Sequence, residues 1–323
     1  MNFFEVLAAS PPAFIGVCLL LGLIVGSFLN VVIYRVPVML EREWRDQCAE
    51  LARSDATAAE TVSAASNAAS GAAVPKDPAA VAAARPAFNL MVPRSACPAC
   101  RAPITAMQNI PVLSYFVLKG RCASCGAAIS ARYPLIEGLT GVLSAVVAWK
   151  LGFGFPALAG LVLTWFLVAL TFIDVDHQLL PDNLTLPLVW IGLLLSLWAP
   201  IAGGASIPVD MRSSLIGAIA GYLSLWSVYH LFRLITGKEG MGYGDFKLLA
   251  ALGAWMGWKM LLPIVVIAAA VGAVTGIALL ARRGQSNQTP IAFGPYLAAA
   301  GWLMLLFGPQ LVNGYLGMFT PRP

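Results

Sequence analysis

Eight apolar runs of near-membrane length follow one another along this chain, at residues 12–36, 134–151, 157–173, 184–201, 213–235, 246–257, 260–281 and 291–307. A bilayer hydrocarbon core about 30 Å thick takes about 20 mostly apolar residues per helix, and short polar breaks separate these runs as interhelical loops do. Only 11% of the residues are charged, too few to clothe a soluble domain of this length. The expected fold class is an all-α polytopic membrane protein with about eight transmembrane helices. The run at 246–257 is short and reads as a half-helix. Residues 1–34 contain no Lys or Arg, and no small-residue cleavage site interrupts the first run, so it reads as a retained helix and not a signal peptide.

The basic residues orient the bundle. With the N-terminus outside, all 20 Lys and Arg except Lys150, Arg212, Lys259 and Arg322 fall in cytoplasmic loops, as the positive-inside tendency requires. The net charge of +5 then reflects topology and contact with anionic membrane lipid. No polybasic groove marks a nucleic-acid surface, and no internal repeat among the spans suggests a transporter of inverted halves.

One long segment, 37–132, lies outside the apolar runs. It separates the first transmembrane helix, 1–36, from the transmembrane core, 133–323. Residues 37–53 are charged and extend the first helix. Residues 54–87 are rich in Ala with Ser, Pro and Gly and offer little to bury, so they read as a flexible insert. Residues 88–132 carry the pairs Cys97-Pro-Ala-Cys100 and Cys122-Ala-Ser-Cys125. Two CxxC turns at this separation suit a four-thiolate tetrahedral zinc site, and a cytoplasmic location keeps the thiols reduced. Four thiolates close the coordination sphere, so the expected zinc is structural and the chemistry lies elsewhere. Cys18 and Cys48 have no partner at metal spacing.

Carboxylates in membrane spans are costly and mark function by default. One locus is TFIDVDHQLLPDNLTLP, where Asp174 ends an apolar run ahead of Asp176, His177 and Asp182; the other is GKEGMGYGDFKLLA, where Asp245 opens the short span. Both fall at the cytoplasmic face. Asp174 lies deepest at the first locus, whereas Asp176 and Asp182 enter the polar loop. Gly240, Gly242 and Gly244 allow a sharp turn and a close backbone approach before Asp245. Two apposed aspartates cannot both ionise, so one serves as base and the other as acid, as peptide hydrolysis needs.

These stretches, together with GSFLNVVIYRVP at 26–37, LMVPRSACPAC, GRCASCGAAISARYPLIE and PIAFGPYLA, resemble the bacterial type IV prepilin peptidases, membrane aspartyl proteases of the GxGD class. The resemblance implies catalytic roles for Asp174 and Asp245, an active-site loop containing Gly242 and Gly244, and a zinc tetrad of Cys97, Cys100, Cys122 and Cys125. It further implies a bacterial inner-membrane enzyme that cuts the leaders of prepilins and pseudopilins. Many members then N-methylate the new terminus with S-adenosylmethionine, an expectation resting on the resemblance alone. The rival readings are a proton-coupled transporter, which would place its carboxylates at mid-membrane, and a non-catalytic scaffold, which gives no reason for matched aspartates.

Overall fold

The computed structural model describes residues 2–64, 88–105, 107–198, 207, 209–238, 240–283 and 292–319. Most of the Ala-rich insert, 65–87, lies outside the described residues, as do the far end of the 184–201 run and residue 291. The described chain is helical throughout its membrane portion. A short α1 (Phe3–Ala9) precedes α2 (Pro11–Ala64), and a small α3 (Leu113–Val117) lies between the cysteine pairs. Then come α4 (Arg132–Leu151), α5 (Phe155–His177), α6 (Asp182–Ser196), α7 (Met211–Thr236), α8 (Tyr243–Met256), α9 (Leu261–Arg283) and α10 (Gly294–Phe319).

Each of the eight runs corresponds to one helix, α2 and α4 to α10. Among the described residues, five stretches are long and apolar enough to cross a membrane: Pro11–Ser54, Arg132–Leu151, Phe155–His177, Met211–Thr236 and Trp258–Ala278. The chain is an all-α polytopic membrane protein. At 54 residues, α2 is about 80 Å long, so it continues far beyond any bilayer. Its helix runs straight through the charged 37–53 extension and the first part of the Ala-rich insert, despite Pro37 in its interior.

The short α8 has 14 residues, about 21 Å of helix, and is buried on nearly every side from Phe246 to Met256. It packs against α6, α7, α9 and α10. Glycines set the closest of these contacts. A Cβ on Gly217 would collide with the Gly253 carbonyl, and one on Gly221 would lie 2.6 Å from the Leu249 carbonyl oxygen. With lipid tails as apolar as leucine, such small-residue stripes let helix backbones touch and gain dispersion energy.

Away from the ends of α5 and α8, buried side-chain polar groups among the described residues find partners, because hydrocarbon offers none. Trp255 donates from Nε1 to the Leu188 carbonyl at 2.8 Å, Ser214 to the Ala254 carbonyl at 2.6 Å, and Trp302 to Thr164 Oγ1 at 3.1 Å. On the other flank α2 packs along α4 and α5. Gly26 lets α4 approach so closely that a Cβ there would sit 2.8 Å from Glu137 Cα, and Asn30 Nδ2 donates to the Tyr133 carbonyl at 3.2 Å. The GSFLN stretch is thus the seam between α2 and α4.

Candidate active site

The last turn of α5 carries Asp174, and the helix stops just beyond it because Gln178 turns left-handed at φ 52° and donates its N–H to the Asp174 carbonyl at 2.9 Å. Asp245 sits in the first turn of α8, whose N-cap is Gly242. Both side chains are buried, 5% and 7% exposed respectively. They come from helices that run in opposite senses at this end of the bundle, and the Asp174 carboxylate is close enough to act electrostatically on Asp245.

A third element closes the site. The Gly294 amide, at the start of α10, faces the Asp174 carboxylate, so the positive end of a helix dipole opposes that oxygen. A Cβ on Gly294 would collide with Asp174 Oδ2 and lie 3.1 Å from Leu180 Cδ1. Leu180 also packs on the other carboxylate's loop, where a Cβ on Gly244 would fall 2.6 Å from Leu180 Cβ. Leu180 is therefore the spacer between the Gly-rich turn and α10. Gly294 carries no chemistry-bearing side chain, and only its place in PIAFGPYLA marked it in the sequence.

The two motif glycines differ in what they do. Neither has a positive φ, so both serve by smallness and not by left-handed backbone. Around Gly242 there is space, the nearest atoms to a Cβ being Asp245 Oδ2 and the Gly244 nitrogen at 4.0 Å. Its amide faces the Asp245 carboxylate.

Four aspartates surround this end of the bundle, and their partners divide them. Asp176 accepts a two-pronged hydrogen bond from the Arg132 guanidinium, with Nη1 to Oδ1 at 2.8 Å. Asp182 is ion-paired with Lys247 at 2.5 Å. By contrast, Oδ2 of Asp174 and Oδ1 of Asp245 are buried with no hydrogen-bond partner among the described residues. A buried carboxylate oxygen left bare is expensive, and such groups point to a site that awaits a hydrogen-bonding ligand. His177 is exposed at the helix end, and His230 lies on α7 between the rings of Trp226 and Tyr229; neither joins the carboxylates. The ion pairs of Arg132 and Lys247 were not legible in the sequence, since their partners are remote in the chain.

The cysteines meet at the same end of the molecule. The four Sγ atoms lie within 4.8 Å of one another, and Cys97 Sγ is 3.9 Å from Cys125 Sγ. Metal–sulfur bonds of about 2.3 Å in a tetrahedron set sulfurs about 3.8 Å apart, so the donor set fits one ion. The two turns are near copies: Arg101 N–H donates to the Cys97 carbonyl and Gly126 N–H to the Cys122 carbonyl, both at 2.9 Å. Amides of Cys125 and Ser124 pull the Cys122 thiol down to about 6, and those of Cys100 and Ala99 lower Cys97. The Ala127 amide also favours the Cys125 thiolate, yet crowding led by Cys100 pushes that thiol up to about 11. Buried Arg35 fastens the segment to α2 through the Asn89 and Pro93 carbonyls, at 2.7 and 2.6 Å.

Residues 20–151 match the bacterial peptidase A24 N-terminal domain, and residues 161–277 match the type IV leader peptidase family. The chain is 48% identical to a prepilin leader peptidase/N-methyltransferase of Stutzerimonas stutzeri over 97% of both chains. It is 52% identical to the protein of that name from Aeromonas salmonicida strain A449 over 95% of both, and 47% identical to that of Pseudomonas aeruginosa over 98% of both. No solved structure matches it at a significant level. With an all-α membrane fold and these relatives along nearly its whole length, the chain belongs to the type IV leader peptidase family and is an enzyme.

Proposed function

We propose that this enzyme is an intramembrane aspartyl endopeptidase that removes the leaders of type IV prepilins and pseudopilins at the cytoplasmic face of the inner membrane, and then N-methylates the new N-terminal residue. The observation that carries the peptidase reading is the pairing of Asp174 with Asp245. Each keeps a bare buried oxygen, while Asp176 and Asp182 are taken up by cations.

Two carboxylates this close in a low-dielectric setting hold one proton between them. The ionised partner takes a proton from a water as that water attacks the scissile carbonyl carbon. The protonated partner donates a hydrogen bond to the carbonyl oxygen, and the roles reverse as the C–N bond breaks and the amine leaves protonated. The amides of Gly294 and Gly242 hold the carboxylates in place without neutralising them. A prepilin joins a basic leader to an apolar helix, so its scissile bond lies at the membrane interface. Asp174 at the end of α5 and Asp245 at the start of α8 occupy that depth if this end of the bundle faces the cytoplasm, as the basic residues favour.

Cys97, Cys100, Cys122 and Cys125 would hold zinc as a structural ion. S-adenosylmethionine, the donor implied by the family resemblance, would supply an electrophilic methyl group when bound. The amine of the processed substrate must then lose a proton to present its lone pair.

The test is leader cleavage by purified enzyme in vesicles, read by mass spectrometry with and without S-adenosylmethionine, for wild type, Asp174→Asn, Asp245→Asn and Asp176→Asn. Loss of cleavage by more than about a thousandfold at 174 and 245 only, with one methyl mass gained by the wild-type product, is the expected result. An inactive 176 variant beside an active 174 variant would reassign the dyad, and full activity in all three would remove the aspartyl mechanism.

A further inference from the structure

The loop between the two cysteine turns is where a soluble zinc module should be most polar, and it is the reverse. From Ala102 to Leu118 the sequence contains no charged residue. Met107, Leu113, Phe116 and Val117 are 77%, 58%, 69% and 72% exposed, with no protein surface covering them among the described residues. The loop also reaches down the bundle. The Val112 amide donates to Glu137 Oε2 at 2.7 Å, and Glu137 lies within the membrane-length helix α4. Asn109, Ile110 and Pro111 line one wall of a groove of about 400 Å³ whose other wall is Ile24, Ser27, Phe28 and Val31 of α2.

Those α2 residues belong to the first membrane span, and Ile24 and Phe28 point outward, 62% and 52% exposed. The exposed side chains of the loop therefore continue the lipid-facing belt of α2. At its two ends the loop carries Arg101 on one side and Lys119 and Arg121 on the other, all exposed, placed as snorkelling cations are at a headgroup layer. Val112 occupies φ 60°, a conformation a β-branched residue adopts only when its surroundings hold it there; the Glu137 carboxylate does so.

From this geometry we infer that residues 107–117 are inserted into the cytoplasmic leaflet beside α2, with Arg101, Lys119 and Arg121 against anionic headgroups. The cysteine cluster then sits on the membrane surface as the clasp of a lipid-anchored loop. The inference rests on neither the aspartate pair nor the methyl transfer.

The experiment uses full-length enzyme in phosphatidylethanolamine–phosphatidylglycerol vesicles containing a phospholipid with a diazirine in its acyl chain. After photolysis, labelled peptides are mapped by mass spectrometry. The expected result is label on peptides spanning 107–117 at a level within about threefold of the peptide bearing Ile24 and Phe28, with background label on the charged extension 42–53. Label on Ile24 and Phe28 but only background on 107–117 would overturn insertion. A photo-crosslinking residue replacing Phe116 supplies the second arm: adducts with lipid are expected, and capture of an added prepilin or of a second copy of the chain instead would show that the face binds protein.

Discussion

Gly242 and Gly244 stand two residues apart in one turn, yet only one is tightly confined. A methyl group at 244 would drive into Leu180, whereas at 242 nothing lies closer than 4.0 Å. Gly244→Ala is expected to lower cleavage at least about a hundredfold by displacing the Asp245 turn, while Gly242→Ala stays within about threefold of wild type, both read as kcat/KM on one prepilin. Equal losses would mean that the turn's flexibility, and not the Leu180 contact, is what the motif preserves. A second residue-scale asymmetry lies in the cysteine turns, where Arg101 holds φ 58° at the position Gly126 holds φ 70°. A side chain there costs about 1 kcal/mol. Arg101→Gly should therefore tighten zinc binding about fivefold, measured by competition with a chromophoric chelator. At this scale the sequence was informative about charge and sulfur: the end of an apolar run separated Asp174 from Asp176, and the spacing of four cysteines marked a metal site. It was silent on Leu180 and Gly294, because an apolar spacer and a close backbone approach leave no chemical signature in one sequence.

Among the elements, α8 is the one on which the site depends most, since it presents Asp245 and is held by α7 through backbone contacts at Gly217 and Gly221. Gly217→Val adds volume where a carbonyl already sits. It is expected to cost about 1–3 kcal/mol, seen as a lower thermal midpoint in detergent, together with lost cleavage as α8 shifts. An unchanged midpoint would show that α7 and α8 can separate freely. The existence of eight apolar helices, α2 and α4 to α10, was legible because a sustained apolar run is a strong signal. The extension of the first past Pro37 was legible too, but its end was not, because α2 runs on to Ala64, into the insert whose composition reads as flexible. One missing N–H does not stop a helix whose next residues are good helix formers with polar side chains free to solvate. Nor was the reach of the zinc segment legible: the contact of Val112 with Glu137 spans two separate elements, and its exposed apolar side chains resemble those of an ordinary buried turn. The segment's metal affinity has its own pH dependence. Cys125 is a thiol near neutrality and Cys122 largely a thiolate, so binding must displace the Cys125 proton. Affinity for zinc should rise with pH between about 6 and 8 as protons compete less well, and chelator titrations across that range should show one proton or more released per ion.

In the molecule as a whole, two lobes share one end of a bundle. Asp174, Asp245 and the closing Gly294 all come from α5, α8 and α10, while the cysteines, the inserted loop and the Arg35 anchor belong to the first half of the chain, tied to α2 and α4. The described side-chain ion pair joining the first half to the carboxylate end is Arg132 with Asp176, which are 41% and 25% exposed. A partly exposed pair of this kind contributes about 0–1 kcal/mol, so the carboxylates are positioned chiefly by their own helices. Removing the metal with a chelator should accordingly leave leader cleavage within about tenfold of the untreated enzyme, with zinc restoring the difference and Arg132→Ala reproducing part of it. The measurement pairs cleavage rate with circular dichroism on the same vesicles. If the helices survive while cleavage falls more than about a hundredfold, the first half must reach the reacting atoms directly. The inserted loop would then be the element to pursue, because it enters the membrane beside α2 from the metal side.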